Sequence, residues 1–188
     1  AMIGGFTVAT LPQLVQTFLA NDYSFRFVGG YTTMAGASAF GQIVEQELDE
    51  LTSESIYDAG MGPFTTRYHW NQYENEIANE VNQIHRQKYG QNADLYTGGT
   101  FTQFSALDQA IQQTGSANPE DIKNALTGMT IQDTPKGEGQ YVFQEYNNQA
   151  RSSMTVSPPV PTEDPDYWGA PIQPGEPEIT YMPSETTI

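Results

Sequence analysis

Apolar residues return at three- and four-residue spacing through most of the first 126 positions. Leu11, Leu14, Val15, Phe18 and Leu19 fall on one helical face. Thr10 can cap that helix, Pro12 is tolerated in its first turn, and Asn21-Asp22 ends it. Phe25-Arg26-Phe27-Val28 before Gly29-Gly30 predicts a short buried parallel strand, so the rhythm is already α/β. Phe40, Ile43, Val44 and Leu48 predict a helix over 36–48. Asn71 and Glu74 form a capping-box pair for a long helix with Tyr73, Ile77, Val81 and Ile84 inward, which Gly90 closes. Thr100 can cap a further helix carrying Phe101, Phe104, Leu107, Ala110 and Ile111 and stopping at Thr114-Gly115. Asn118-Pro119-Glu120-Asp121 opens the next one, with Gly128 as its stop.

From Met129 the period shortens. Met129-Thr130-Ile131, Tyr141-Val142-Phe143 and Met154-Thr155-Val156 read as short strands between proline and glycine breaks. The prolines from Pro158 onward forbid a helix and predict an extended tail with one late strand at Ile179-Thr180-Tyr181.

Charge narrows the classes of partner. Seven Lys plus Arg against 23 Asp plus Glu leave a net charge of -16, which excludes nucleic acid as a partner, because phosphate contacts need clustered cations. The acids have no ligand spacing, so they read as a solvated acidic surface suited to high salt, a halophilic trait, ahead of a specific cation site. The absence of cysteine excludes disulfides, thiolate catalysis and cysteine-based metal centres. No apolar run approaches the roughly 18 residues of a membrane span. The start Ala1-Met2-Ile3-Gly4-Gly5 has no basic stretch before an apolar core, so any targeting segment is expected upstream or not at all.

Catalytic patterns are missing. His69 and His85 have no partners at metal spacing, and Glu45, Glu47, Asp49, Glu50 and Glu54 form a solvated face without the apolar setting that acid catalysis needs. Ser53, Ser55 and Ser105 lack a nucleophile elbow, and the Gly-Gly pairs lack the rest of a phosphate loop. The residues imply a protein that is not an enzyme and uses no metal or cofactor.

The order of landmarks is similar to one family. Ile3-Gly4-Gly5-Phe6, the helix that follows and Phe25-Arg26-Phe27-Val28-Gly29 resemble the second lobe of type 1 periplasmic binding proteins serving branched-chain amino-acid ABC transporters. Phe101 to Ile111 with Thr114-Gly115-Ser116, Pro119 to Leu126, and Gly137 to Phe143 resemble the family's next helices and its return toward the hinge. The resemblance implies a Rossmann-like parallel-sheet lobe forming roughly the C-terminal half of a two-lobe fold, either as a fragment or as a truncated member. It divides the chain into 1–90 (part of the second ligand-binding lobe), 91–157 (crossover helices and hinge-proximal strands) and 158–188 (extended tail).

By that resemblance the function is extracytoplasmic capture of a branched-chain amino acid or a related small amide or carboxylate, for delivery to an ABC permease. The alternative is a sensory or protein-interaction domain of the same fold. Phe6, Tyr31, Tyr57, Asp58 and Phe101 are the implied ligand contacts, with Asp58 as polar anchor although strict spacing puts Ala59 in the acid's place. A membrane anchor in the full-length protein, and self-association of a half fold through cut sheet edges, follow from the same reading.

Overall fold

In a computed structural model of the chain, residues 2–3, 9–21, 23–28 and 33–185 are described; Phe6 and Tyr31 lie outside them. Strands β1 (Met2–Ile3) and β2 (Phe27–Val28) pair in parallel, Met2 opposite Phe27 and Ile3 opposite Val28. Helix α1 (Leu11–Leu19) connects them. Phe27 also bridges in parallel to Met61, donating its N–H to the Gly60 carbonyl at 2.9 Å and accepting from Gly62 at 2.7 Å. Helices α2 (Met34–Glu47) and α3 (Ser53–Asp58) fill the connection between these segments.

The apolar faces close over this small sheet. Leu11, Val15 and Phe18 of α1 meet Phe27 of β2, Phe40 and Val44 of α2, Ile56 and Met61 in one buried cluster. Phe27 sits 5.9 Å from Phe18 and 6.0 Å from Phe40, ring centre to ring centre. Burying a side chain of this size contributes about 1.5–3 kcal/mol, so these rings dominate the cluster.

The chain leaves through β3 (Phe64–Thr66) into α4 (Glu76–Tyr89), α5 (Leu95–Thr114) and α6 (Pro119–Leu126). Strands β4 (Thr130–Ile131), β5 (Tyr141–Phe143) and β6 (Ala150–Ser152) form an antiparallel sheet in that order. The chain returns through β7 (Met154–Ser157), which lies antiparallel between β3 and β10 (Ile179–Tyr181). A hairpin of β8 (Pro159–Pro161) and β9 (Ile172–Pro174) brings Trp168, Ala170 and Ile172 back onto the first cluster. A second buried cluster, Tyr68, Val81 and Ala93, sits beyond the β3 crossover. Outgoing β3 and returning β7 are thus one ladder joining two packed bodies.

Several elements begin elsewhere than the sequence pattern predicts. Helix α4 starts at Glu76 with Asn75 as its cap, because Asn71 donates to the Pro174 carbonyl at 2.6 Å and Gln72 to that of Gly175 at 2.9 Å, fixing 71–72 to the end of β9. Helix α5 starts at Leu95, capped by Asp94 rather than Thr100, and runs through Gly98-Gly99. Helix α2 begins at Met34 with Thr33 as cap. The predicted strand over 25–28 shortens to Phe27–Val28, since Phe25 turns aside to stack with Tyr23 and Phe18. The tail holds β8 and β9 as well as the predicted strand, with proline at strand ends of a two-stranded ribbon where no donor is lost.

Candidate functional site

The parallel segments at β1, β2 and Met61 aim their carboxyl ends to one side, the edge where open α/β sheets hold ligands. Helix α2 starts at that edge. Thr33 Oγ1 accepts the Gly36 N–H at 3.1 Å, which fixes the first turn. The Met34 N–H, at the positive end of α2, lies 3.4 Å from Asp94 Oδ2. The other oxygen of the same carboxylate, Oδ1, accepts the Tyr96 N–H at 3.0 Å as the cap of α5. One acid therefore bridges two helix amino termini, one beside each packed cluster, and this junction is the candidate crevice.

Polar bonds hold the crevice walls at this spacing. The Trp70 N–H donates to the Ala93 carbonyl at 3.2 Å and the Asn92 N–H to that of Tyr167 at 2.7 Å. Arg86 joins the bodies: Nη2 meets Asp164 Oδ2 at 2.6 Å, and Nε donates to Asn92 Oδ1 at 2.6 Å. Trp70 and Trp168 are 4.6 Å apart, with buried His69 edge-on to Trp168 at 5.3 Å. Two helix dipole ends favour a carboxylate or carbonyl oxygen, and Asp94 supplies an acceptor for an ammonium or amide N–H. The 3.4 Å contact to Met34 is long for a hydrogen bond, so a solute oxygen can displace it.

Of the contacts implied by the sequence, Tyr57 and Asp58 end α3 and precede the Met61 segment. They occupy the amino edge of the parallel sheet, opposite the crevice. The Tyr57 ring lies 3.4 Å from the Arg26 guanidinium carbon, and the Tyr57 carbonyl accepts from Arg26 Nη1. Asp58 is exposed beside a recess of about 470 Å³ with Phe18, Tyr23 and Gly60. Phe101 borders a separate groove of about 550 Å³ between α4 and α5, with Ile84, His85 and Tyr96. Tyr57 and Asp58 are neighbours, and Phe101 is not brought to them. Asp94 was legible only as a helix-capping residue before Leu95-Tyr96, a signal the Gly98-Gly99 pair obscured.

Behind the β3–β7 ladder lies a buried lysine. Lys136 is 4% exposed; its Nζ donates to Ser152 Oγ at 3.2 Å and to the Ser153 carbonyl, with the rings of Tyr141 and Tyr73 at 4.9 and 5.5 Å. Burial pushes its ammonium down to about 6, and the Arg67 charge acts in the same direction. Burial pushes the Tyr73 phenol up to about 12, and those of Tyr68 and Tyr141 also upward, so all three stay neutral.

No protein family's model matches the chain, and no curated protein does. Solved structures do. The fold is similar to the leucine-, isoleucine-, valine-, threonine- and alanine-binding protein of Brucella ovis in its closed conformation, with TM-score 0.62 and 14% identity over 100% of this chain and 50% of that one. It is similar to an ABC-type branched-chain amino acid transporter of Rhodopseudomonas palustris CGA009, with TM-score 0.58 and 21% identity over 96% and 49%. It is also similar to a solute binding protein of an ABC transporter from Rhodopseudomonas palustris BisB5 in complex with 3,4-dihydroxy benzoic acid, with TM-score 0.63 and 10% identity over 92% and 48%. The chain has the α/β fold of about half of a type 1 periplasmic binding protein, and it spans about half the length of the structures it matches.

Proposed function

We propose that the chain is the solute-binding part of an extracytoplasmic component of an ABC importer, holding a branched-chain amino acid or a related small amide or carboxylate for a permease. The observation that carries this reading is the Asp94 carboxylate set between the amino ends of α2 and α5 at the carboxyl edge of the parallel strands. A solute carboxylate takes the Met34 N–H in place of Asp94 Oδ2, and the freed oxygen accepts the solute's ammonium or amide N–H. Closing the two bodies over the solute then uses the β3–β7 ladder as the hinge. Anchoring to the membrane belongs to the same proposal; among the described residues no helix is long and apolar enough to cross one.

Thermal unfolding with and without branched-chain amino acids, amides and small carboxylates tests the reading. A ligand at one hundred times its dissociation constant stabilises by about 2.7 kcal/mol. Asp94→Asn keeps a good cap and removes the charge, so it should weaken amino acids by about 1–3 kcal/mol while leaving simple carboxylates nearly unaffected. A panel without any shift counts against the reading.

A second reading, a protein-interaction domain of the same fold, is favoured by one feature. Helix α5 buries its small residues Gly98, Thr102, Ala106 and Ala110, and turns Phe104 and Leu107 outward, 69% and 40% exposed. Self-association through that stripe is its expected consequence.

A further inference from the structure

Strand β7 turns alternate side chains to the two faces of the β3–β7–β10 sheet, with buried Phe64 of β3 on the inner face. Thr66, Thr155 and Ser157 are buried on one face, while Met154 and Val156 point from the other toward a cavity of about 560 Å³. Thr65 stands opposite Val156 and Tyr181 opposite Met154, so the cavity floor sets the apolar Met154 and Val156 between Tyr181 and Thr65 on a short antiparallel ladder. The half-buried thioether of Met154 and isopropyl group of Val156 leave apolar area in water that a bound molecule can cover.

The walls carry an unusual charge for this chain. Two of its seven Lys and Arg residues, Arg67 and Arg151, line this one cavity in a protein of net charge -16. Arg151 Nη2 donates to the Tyr146 hydroxyl at 2.8 Å, which holds the guanidinium over the floor. Arg67 is exposed and makes no hydrogen bond or ion pair among the described residues. The rim acid is Glu185, whose Oε2 accepts the Met182 N–H at 2.8 Å. Thr33, Met34 and Asp94 take no part in the cavity, so it is separate from the crevice.

We propose that this cavity binds a small carboxylate with a flat apolar body, such as an aryl carboxylate, independently of any solute in the crevice. The carboxylate lies between the Arg67 and Arg151 guanidiniums, whose planar forks match its two oxygens. The body covers Met154 and Val156 between the rings of Tyr146 and Tyr181. A bare inorganic anion would leave that floor wet, and a neutral ring would bring no charge to meet the Arg67 guanidinium.

Benzoate titrated calorimetrically into the protein at low salt is the test, with benzamide and inorganic phosphate as separate arms. The expected result is one saturable benzoate site, no saturation by benzamide, and phosphate at least tenfold weaker. Arg67→Gln should lower benzoate affinity tenfold or more with no fall in the unfolding midpoint, since the side chain loses no hydrogen bond or ion pair and its charge only disfavours the ammonium of Lys136. Glu185→Gln should tighten binding. Failure of benzoate to saturate overturns the proposal, as does full affinity in Arg67→Gln. Phosphate as tight as benzoate contradicts the role of the apolar floor.

Discussion

A Cβ placed on Gly98 would stand 2.5 Å from the ring of Tyr68, a residue only 1% exposed. Helix α5 reaches the second cluster only because position 98 has no side chain. Gly98→Ala gains about 1 kcal/mol of helix propensity and loses about 1–3 kcal/mol to overpacking against a ring that cannot swing into solvent. Gly99 has open space around its would-be Cβ, so Gly99→Ala keeps only the gain. In paired thermal melts, Gly98→Ala should lower the midpoint and Gly99→Ala should raise it. Equal shifts in the two variants would contradict the packing described.

Lys136 makes stability depend on pH in a stated direction. Its ordinary value is 10.5 and the folded protein holds it near 6, so between those limits the unfolded chain binds the proton that the fold rejects. Stability from this group is present above 10.5, falls as pH drops toward 6, and levels off below that. The groups facing it are Arg67, Tyr73 and Tyr141, with Ser152 and Ser153 as its hydrogen-bond partners. Denaturant midpoints measured at intervals from pH 5 to 9 should rise, and Lys136→Met should flatten the rise. A slope that survives in that variant would place its source elsewhere.

The Arg86–Asp164 pair ties α4 to the loop before β9, and both side chains are about one-third exposed, 31% and 33%. Solvent screening limits its worth to about 0.5–1 kcal/mol. Asp164→Asn should therefore cost no more than that at low salt and less at 1 M, where the Debye length shrinks to about 3 Å. Double-mutant melts with Arg86→Gln at both salt levels measure the coupling.

The whole chain should respond to salt in the opposite sense. With a net charge of -16, self-repulsion among carboxylates weakens the compact state, and molar salt screens it. Unfolding midpoints are expected to climb between 0.1 and about 2 M KCl; a flat series would remove the halophilic interpretation of the composition.

How much of this was readable from the chain differs by element. Periodicity located α1, α2, α4 and α5, because each buries part of one face, while α6, which has no buried residue, was marked by its Asn118-Pro119 start. It misplaced the starts of α4 and α5, because the deciding contacts are distant: Asn71 with Pro174, and Gly98 with Tyr68. Short α3 and the proline-bearing β8 and β9 carry too few residues for a pattern. The family resemblance pointed to the fold now seen. Of the contacts it implied, Phe6 and Tyr31 lie outside the described residues, while Tyr57, Asp58 and Phe101 are spread over two surfaces apart from the crevice. Asp94 and the Arg67–Arg151 pair come together only through the β3 and β7 crossover, which no local spacing encodes.

Amide hydrogen exchange of residues 33–37 and 57–60, with and without the solute that most raises the unfolding midpoint, tests the central claim most directly. The account predicts slowed exchange over 33–37, at the amino end of α2, with 57–60 unchanged. Protection confined to 57–60, around Asp58, or no protection at either edge, would contradict it.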